Sequence, residues 1–528
     1  MEERKGFGTN FGFLMAAVGS AVGLGNIWGF PNKMGASGGF TFLIIYLILA
    51  VLCGFIVMVG ELAIGRKTGH GAVGAYKALS KKFKWMGWLG ILSAFFILFF
   101  YCALGGYCIK YTVLNIGDLF GAGFGSNGLS GGEIFGNFLG SPVEGVIYGL
   151  IFVALTMLIV MGGVGGGIEK VCSVGMPALF VALLICIIRA CTLEGTDVAV
   201  QILQADGSLV EGVVNGSALD GLKYMFSPGW AANVGYYVPA KAVVDGVEVS
   251  SVMVNGVAQA IVSYQSGAPS IFNVVSTAGG QMFFSLSLGM GAMITYGSYL
   301  QKKENLQKNA ILIITMDTLV ALMAGLCVIP GRFALDPEGA LGGPSLLFVT
   351  MQNVFSRMGA LGPIFGILFY LLVVFAAVSS SISLLEVIVA HFVDKARDEG
   401  KGDKRKAYTL IAAACVGLGC ILVCADQLGG ASFTPWKLLG LPETAIRTWN
   451  DCWLDFWDML SEGIMMPLGA LLMSLMIGWE VGPEMVKAEC EQSGHAMGSY
   501  GFFKICVKFI TPLCMILILY GQIKEFFF

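Results

Sequence analysis

Residues 40–65, FTFLIIYLILAVLCGFIVMVGELAIG, hold one charged side chain in a run longer than the ~20 apolar residues that cross a bilayer. Comparable runs follow along the whole chain. We count eleven, at roughly 11–33, 40–65, 87–114, 144–163, 168–191, 276–300, 310–329, 361–392, 408–424, 453–479 and 504–524. Hydrocarbon offers no water to backbone N–H and C=O groups, so such stretches must close their hydrogen bonds internally as helices. Composition agrees: 56% of the 528 residues are hydrophobic and 12% charged, where soluble domains have about a quarter charged. The expected fold is an all-α polytopic membrane protein, multi-pass in a lipid bilayer.

Nothing points to catalysis or to nucleic acid. The net charge is −3, and the charged run DKARDEGKGDKRK (394–406) reads as a solvated connection. The three histidines, His70, His391 and His495, are scattered, and no CxxC, HExxH, Walker or GxSxG pattern occurs. The chain is therefore not read as an enzyme. Most of the fourteen cysteines (Cys53, Cys102, Cys186, Cys327, Cys415 and Cys514 among them) lie in apolar runs and read as small core residues. Cys191 and Cys452 are placed to face outside, which leaves a bridge there open.

No A-x-A site follows MEERKG, so the first apolar run reads as a span and not as a cleaved signal peptide. With the N-terminus inside, most of the 31 Lys and Arg fall on inner connections, including Arg66, Lys67, Lys81, Lys82, Lys302, Lys303 and the 395–406 group. Positive charge favours that side. Eleven spans then put the C-terminus outside a plasma (inner) membrane. The chain divides into a first half, 1–191 (spans one to five), an insertion at 192–275, a second half, 276–479 (spans six to ten), and 480–528 with span eleven. GGVGGG (162–167) is a short inner connection, and Pro177 predicts a kink or unwinding in span five. The insertion carries the hairpin dipeptides Asp206–Gly207, Asn215–Gly216, Asp245–Gly246 and Asn255–Gly256 between β-branched runs such as VEVSSVMV (247–254) and VAQAIVSY (257–264). It reads as a small extracellular β-rich cap.

Two spans are too rich in glycine to be single helices. In residues 11–31, FGFLMAAVGSAVGLGNIWGFP, Gly19, Gly23 and Gly25 crowd the middle and Asn26 follows; FFSLSLGMGA (283–292) repeats the device with Gly289 and Gly291. Each such glycine costs a helix ~1 kcal/mol against alanine. Unwound backbone at membrane depth survives only where protein or a polar cavity takes up its free groups. Freed carbonyls beside Asn26 suit a dehydrated cation, and matched interruptions in two halves point to the binding site of a secondary transporter. Close helix packing is the competing use of such glycines. Asp317, an acid in mid-span, is functional by default.

GSAVGLGNIWGFP (19–31), GELAIGRKTG (60–69), GQMFFSLSLGMGAMITYGSY (280–299), GPSLLFVTM (343–351) and SSSISLLEV (379–387) together resemble the neurotransmitter:sodium symporter family, closest to its bacterial amino-acid branch. The resemblance implies a 5+5 inverted repeat with broken helices 1 and 6, and substrate and two sodium ions held at the breaks. Matched position by position, sodium site 1 takes the Ala21 carbonyl, Asn26, Ser285 and Asp317. Sodium site 2 takes backbone oxygens of Gly19, Val22 and Ala376 and the hydroxyls of Ser379 and Ser380. Those five oxygens, without a carboxylate, suit a monovalent ion better than calcium; serines bonding back to their own helix are the plain alternative. The amino-acid pocket takes Ser20, Ala21, Leu24, Gly25, Ile97, Tyr101, Phe284, Ser285, Ser287, Met290, Ser380 and Leu384.

The resemblance also implies gates. At the inner gate Arg4 meets Asp394, steadied by Tyr299, with Phe7 where the family often has Trp. At the outer gate the family usually has Arg where this chain has Gly29, facing an acid, here Asp455; Lys33, one turn on, is the expected substitute. Asp317 stands where many members have Asn, and Ala321 where chloride-dependent members have Ser, so no chloride is required. The implied function is sodium-coupled import of a neutral, hydrophobic or aromatic amino acid by alternating access. A substrate-binding sensor on the same scaffold, without transport, is the alternative.

Overall fold

The computed structural model describes residues 7–244, 246–402, 404–440, 451–492 and 494–527. Among them, nine helices are long and apolar enough to cross a membrane: Phe40–Thr68, Met86–Phe120, Pro142–Met161, Val164–Cys191, Leu306–Leu335, Gly359–Asp398, Arg405–Gly429, Trp453–Val481 and Tyr500–Phe527. A tenth span is a bent pair, Asn10–Ala21 with Gly25–Ala36, at 46° to each other. The eleventh, expected over 276–300, is also in two pieces, Ile271–Ser285 and Ala292–Gly297. With a helical rise of about 1.5 Å per residue, neither piece alone crosses a hydrocarbon core of about 30 Å. The glycine-rich stretches are therefore where the helices break.

Several helices outrun the apolar windows that predict them, because hydropathy falls at the interface while the backbone stays helical. Leu306–Leu335 overruns 310–329, and Gly359–Asp398 overruns 361–392. The Lys170–Cys191 helix runs through Pro177 without interruption, so the unwinding expected there is not made. Met86–Phe120 is the most buried span and packs along Gly362–Asp398. The first broken helix packs on Gly362–Asp398 through Asn10–Ala21, and the second through Ala292–Gly297. Pro142–Met161 and Val164–Cys191 present Ile147, Leu158, Val181, Leu184 and Ile188 outward, as a lipid-facing surface does.

The insertion forms a mixed sheet: β1 (Val198–Leu203), β2 (Leu209–Val214), β3 (Tyr236–Pro239), β6 (Ser251–Val254) and β7 (Val257–Gln265) run β2-β1-β7-β3 with β6 also on β7, and β4 (Ala242–Val244) pairs β5 (Val247–Val249) apart. Three of the four turn dipeptides join hairpins, β1–β2, β4–β5 and β6–β7; Asp245 itself lies outside the described residues. Asn255 and Gly256, at φ 50° and 79°, supply the two positive φ values of a type I′ turn. Asn215–Gly216 instead leads into a helix, Ala218–Phe226, which composition did not predict. Backbone bonds dock the chain here against a spanning helix: Thr196 N donates to Ala334 O at 2.9 Å and Ser217 N to Phe333 O at 2.8 Å. All fourteen cysteines are free, and Cys452 is buried, its Sγ accepting from Asp455 N; a bridge to Cys191 is not made.

Candidate functional site at the two helix breaks

The first break begins where Val22 turns extended (φ −74°, ψ 105°), freeing the carbonyls before it. Serines of Gly362–Asp398 meet them. Ser380 Oγ lies 3.2 Å from Gly19 O, 3.1 Å from Ser20 O and 3.2 Å from Val22 O. Ser379 Oγ lies 3.2 Å from Val22 O and 2.8 Å from Ala376 O. The five residues assigned to sodium site 2 thus come together, and uncharged oxygens crowded at hydrogen-bonding distance are a fit donor set for a small hard cation. The Ser379 bond to Ala376 is also the back-bonding that serines make in helices.

Beyond the break, Asn26 Nδ2 donates to Asp317 Oδ1 at 2.7 Å and to Asp317 O at 3.1 Å. Ser285 Oγ donates to the same carboxylate at 2.9 Å, and Tyr46 OH at 3.4 Å. Asp317, Asn26 and Ser285 are fully buried. The side chains assigned to sodium site 1 are therefore one cluster, with a carboxylate for a charge to bind against; Ala21 lies on the adjoining cavity wall.

That cavity is lined by Ala21, Gly23, Gly25, Ile97, Tyr101, Phe284, Ser287, Met290, Ser380 and Leu384. Nine of these are residues assigned to the pocket from sequence. Ser20, Leu24 and Ser285 do not line it: Ser20 Oγ donates to Ser383 Oγ, Ser285 faces Asp317, and Leu24 contributes its amide, which donates to Tyr101 OH at 2.9 Å. Gly23, which the pocket assignment omitted, does line it. A Cβ there would lie 2.9 Å from Ser380 Cβ and closer still to Ser380 Oγ and Tyr101 OH. At the second break, Ser287, Gly289 and Gly291 all have positive φ (53°, 82° and 81°). Ser287 is the strained one, at a cost of order 1–3 kcal/mol; its Oγ donates to Ser20 O at 2.8 Å, tying the two breaks together.

The outer gate differs from expectation. Lys33 forms its ion pair with Glu462, two turns along the helix from Asp455, which replaces the Lys33–Asp455 pairing read from sequence. Gly29 has a physical reason too: the Gln281 side chain fills the space beside it, and Gln281 Nε2 donates to Gly25 O at 2.6 Å. On the opposite face Phe7 is buried edge-on against Phe13, Tyr296 and Tyr299. Tyr299 OH donates to Glu386, which Arg405 also grips at 2.6 and 2.8 Å, and Asp394 accepts from Gly71 N. Arg4 lies outside the described residues.

Two acids here escaped the sequence reading. Glu61, buried in Phe40–Thr68, accepts from the free amide of Gly289 at 2.7 Å, and Glu386 lies under Tyr299. Both are acids inside apolar runs, the signal that singled out Asp317.

The chain matches the sodium:neurotransmitter symporter family model over residues 4–119 and 236–527. It is 30% identical over 525 residues to a Bacillus subtilis protein described as an uncharacterized sodium-dependent transporter, covering 97% of this chain and 96% of that one. A sodium-dependent transporter of Haemophilus influenzae is 28% identical, covering 98% of each. Among solved structures, MhsT in complex with L-phenylalanine superposes with a TM-score of 0.76 at 30% identity, over 98% of this chain and 100% of that one. The chain thus belongs to the sodium:neurotransmitter symporter family, multi-pass membrane proteins that couple the movement of a small molecule to sodium.

Proposed function

We propose that this symporter imports a neutral amino acid with a large apolar side chain, together with two sodium ions and without chloride. The observation that carries the reading is the polarity of the cavity. Tyr101 OH and the Leu24 amide meet at one end, beside the Asn26–Asp317 cluster, and Ile97, Phe284, Met290 and Leu384 form the rest of the wall. The Tyr101 hydroxyl accepts from that amide and keeps its own proton to donate; such a donor with an adjacent cation suits a carboxylate. The apolar wall suits an aliphatic or aromatic side chain, and the MhsT complex holds phenylalanine. Gly23 brings no acid to this wall to pair with the ammonium of an amine substrate. Binding of each of the twenty amino acids, with and without sodium, tests this: large apolar ones should bind only with sodium. Tight sodium-dependent binding of dopamine or serotonin, with none of amino acids, would contradict it.

Met290 sets the breadth of the pocket, since an unbranched thioether reshapes readily around different ligands. Met290→Phe should narrow it, weakening competition by tryptophan more than by leucine. Identical competition profiles would remove Met290 from the substrate wall.

In this reading the N-terminus is inside, and Lys33–Glu462 closes the outer side as helices 1 and 6 alternate in access. Glu462 is almost fully buried, and removing one partner of a buried pair leaves the other charge uncompensated. Lys33→Ala and Glu462→Gln should therefore each slow transport at least several-fold. If Asp455→Asn slows it as much and Glu462→Gln does not, Lys33 works with Asp455 instead.

A further inference from the structure

We infer that Tyr224, in the inserted segment, is a positioning residue that holds the outer half of the first broken helix; the inference rests on the symporter reading above. Tyr224 lies on Ala218–Phe226 and is fully buried. Its hydroxyl donates to Met34 O at 3.2 Å and Gly35 O at 2.7 Å. These belong to the last turn of Phe30–Ala36; Met34 O also accepts from Ser37 N and Gly39 N, and Gly35 O takes the shorter bond from the hydroxyl. The ring is held by Trp230, Tyr236 and Phe333, with centroids 6.1, 5.2 and 5.5 Å away.

The chain leaving that helix passes so close that a Cβ on Gly39 (φ 57°) would lie 2.8 Å from the Tyr224 ring, and one on Gly38 2.7 Å from Pro269. On its other side the insertion is fastened to Leu306–Leu335. Besides the bonds of Thr196 and Ser217 to that helix, the buried Arg332 donates to Tyr237 O of β3 at 2.5 Å and to Gly339 O at 2.7 Å. The insertion therefore bridges a full-length spanning helix and the half-helix that carries Gly25, Asn26 and Lys33. A passive cap would need no bond to the end of that half-helix. Tyr224 makes one, its single proton shared between Gly35 O and the more distant Met34 O, and so favours the arrangement in which Lys33 reaches Glu462.

The test is hydrogen–deuterium exchange on the full-length protein and on Tyr224→Phe, both without sodium. The phenylalanine keeps the ring in its aromatic cage and loses only the hydroxyl. Amides across 25–39 should exchange roughly 3- to 10-fold faster in the variant, as loss of one ordinary hydrogen bond implies. Amides of β1, β2 and Leu306–Leu335 should be unchanged. Unchanged exchange at 25–39 would overturn the inference, as would an equal rise in β1, β2 and Leu306–Leu335, which is general loosening. No substrate enters this measurement, so a wrong substrate assignment leaves its outcome readable.

Discussion

Gly23→Ala should weaken substrate binding by about one to two orders of magnitude in a protein that still folds. The added methyl group would sit 2.9 Å from Ser380 Cβ and nearer still to the Ser380 and Tyr101 hydroxyls. Those groups border the cavity and, through Tyr101, the Leu24 amide. Overpacking a tight site costs about 1–3 kcal/mol, and about 1.4 kcal/mol corresponds to tenfold in affinity. Binding should weaken by one to two orders of magnitude. The backbone there tolerates alanine, since Gly23 does not have positive φ. A radioligand assay with a large apolar amino acid reads the loss, and thermal unfolding checks that the fold is kept. Wild-type affinity in the variant would show that the substrate does not approach Gly23.

Asp317→Asn should raise the sodium concentration needed for half-maximal transport at least tenfold, and create a stimulation by chloride. The carboxylate is fully buried and receives Asn26, Ser285 and Tyr46. A full charge about 4 Å from a cation is worth about 4 kcal/mol at an effective dielectric of about 20. Part of that is offset by stripping water from the ion, which leaves enough for an order of magnitude. On the proposed reading the wild-type carboxylate balances the sodium charge, and a second anion beside it would be repelled by a similar amount. The asparagine variant removes that repulsion. Sodium titrations of uptake in chloride and in gluconate measure both effects. An unchanged sodium dependence would place the ion elsewhere.

The two breaks are legible in sequence because glycine's cost in a helix is local, and so is Asp317, an acid where the bilayer penalises one. Side-chain pairing across the bundle is not local. Glu61 finds its partner Gly289 in the other half of the chain. Asp455, Asp458 and Glu462 share one helix with similar chemistry, and only the packing of that helix brings Glu462 to Lys33. Gln281, neutral and inside an apolar run, gives no composition signal, yet it fills the space beside Gly29. The insertion divides the same way. Turn dipeptides mark three hairpins, whereas the parallel pairing of β1 with β7 sets Gln201 against Ile261, far along the chain, and has no local signature. Asn215–Gly216 carries a hairpin motif, but docking against Leu306–Leu335 decides its geometry.

Uptake by purified protein in sodium-free liposomes separates sodium-driven transport from binding alone. With sodium outside and equal amino acid on both sides, a large apolar amino acid should accumulate inside above its external concentration. Replacing external chloride with gluconate should leave the rate and extent unchanged. Collapsing the sodium gradient with an ionophore should return the amino acid to equality. Sodium-dependent binding with no accumulation would contradict the account and make the chain a sensor; accumulation that stops in gluconate would contradict the role given to Asp317.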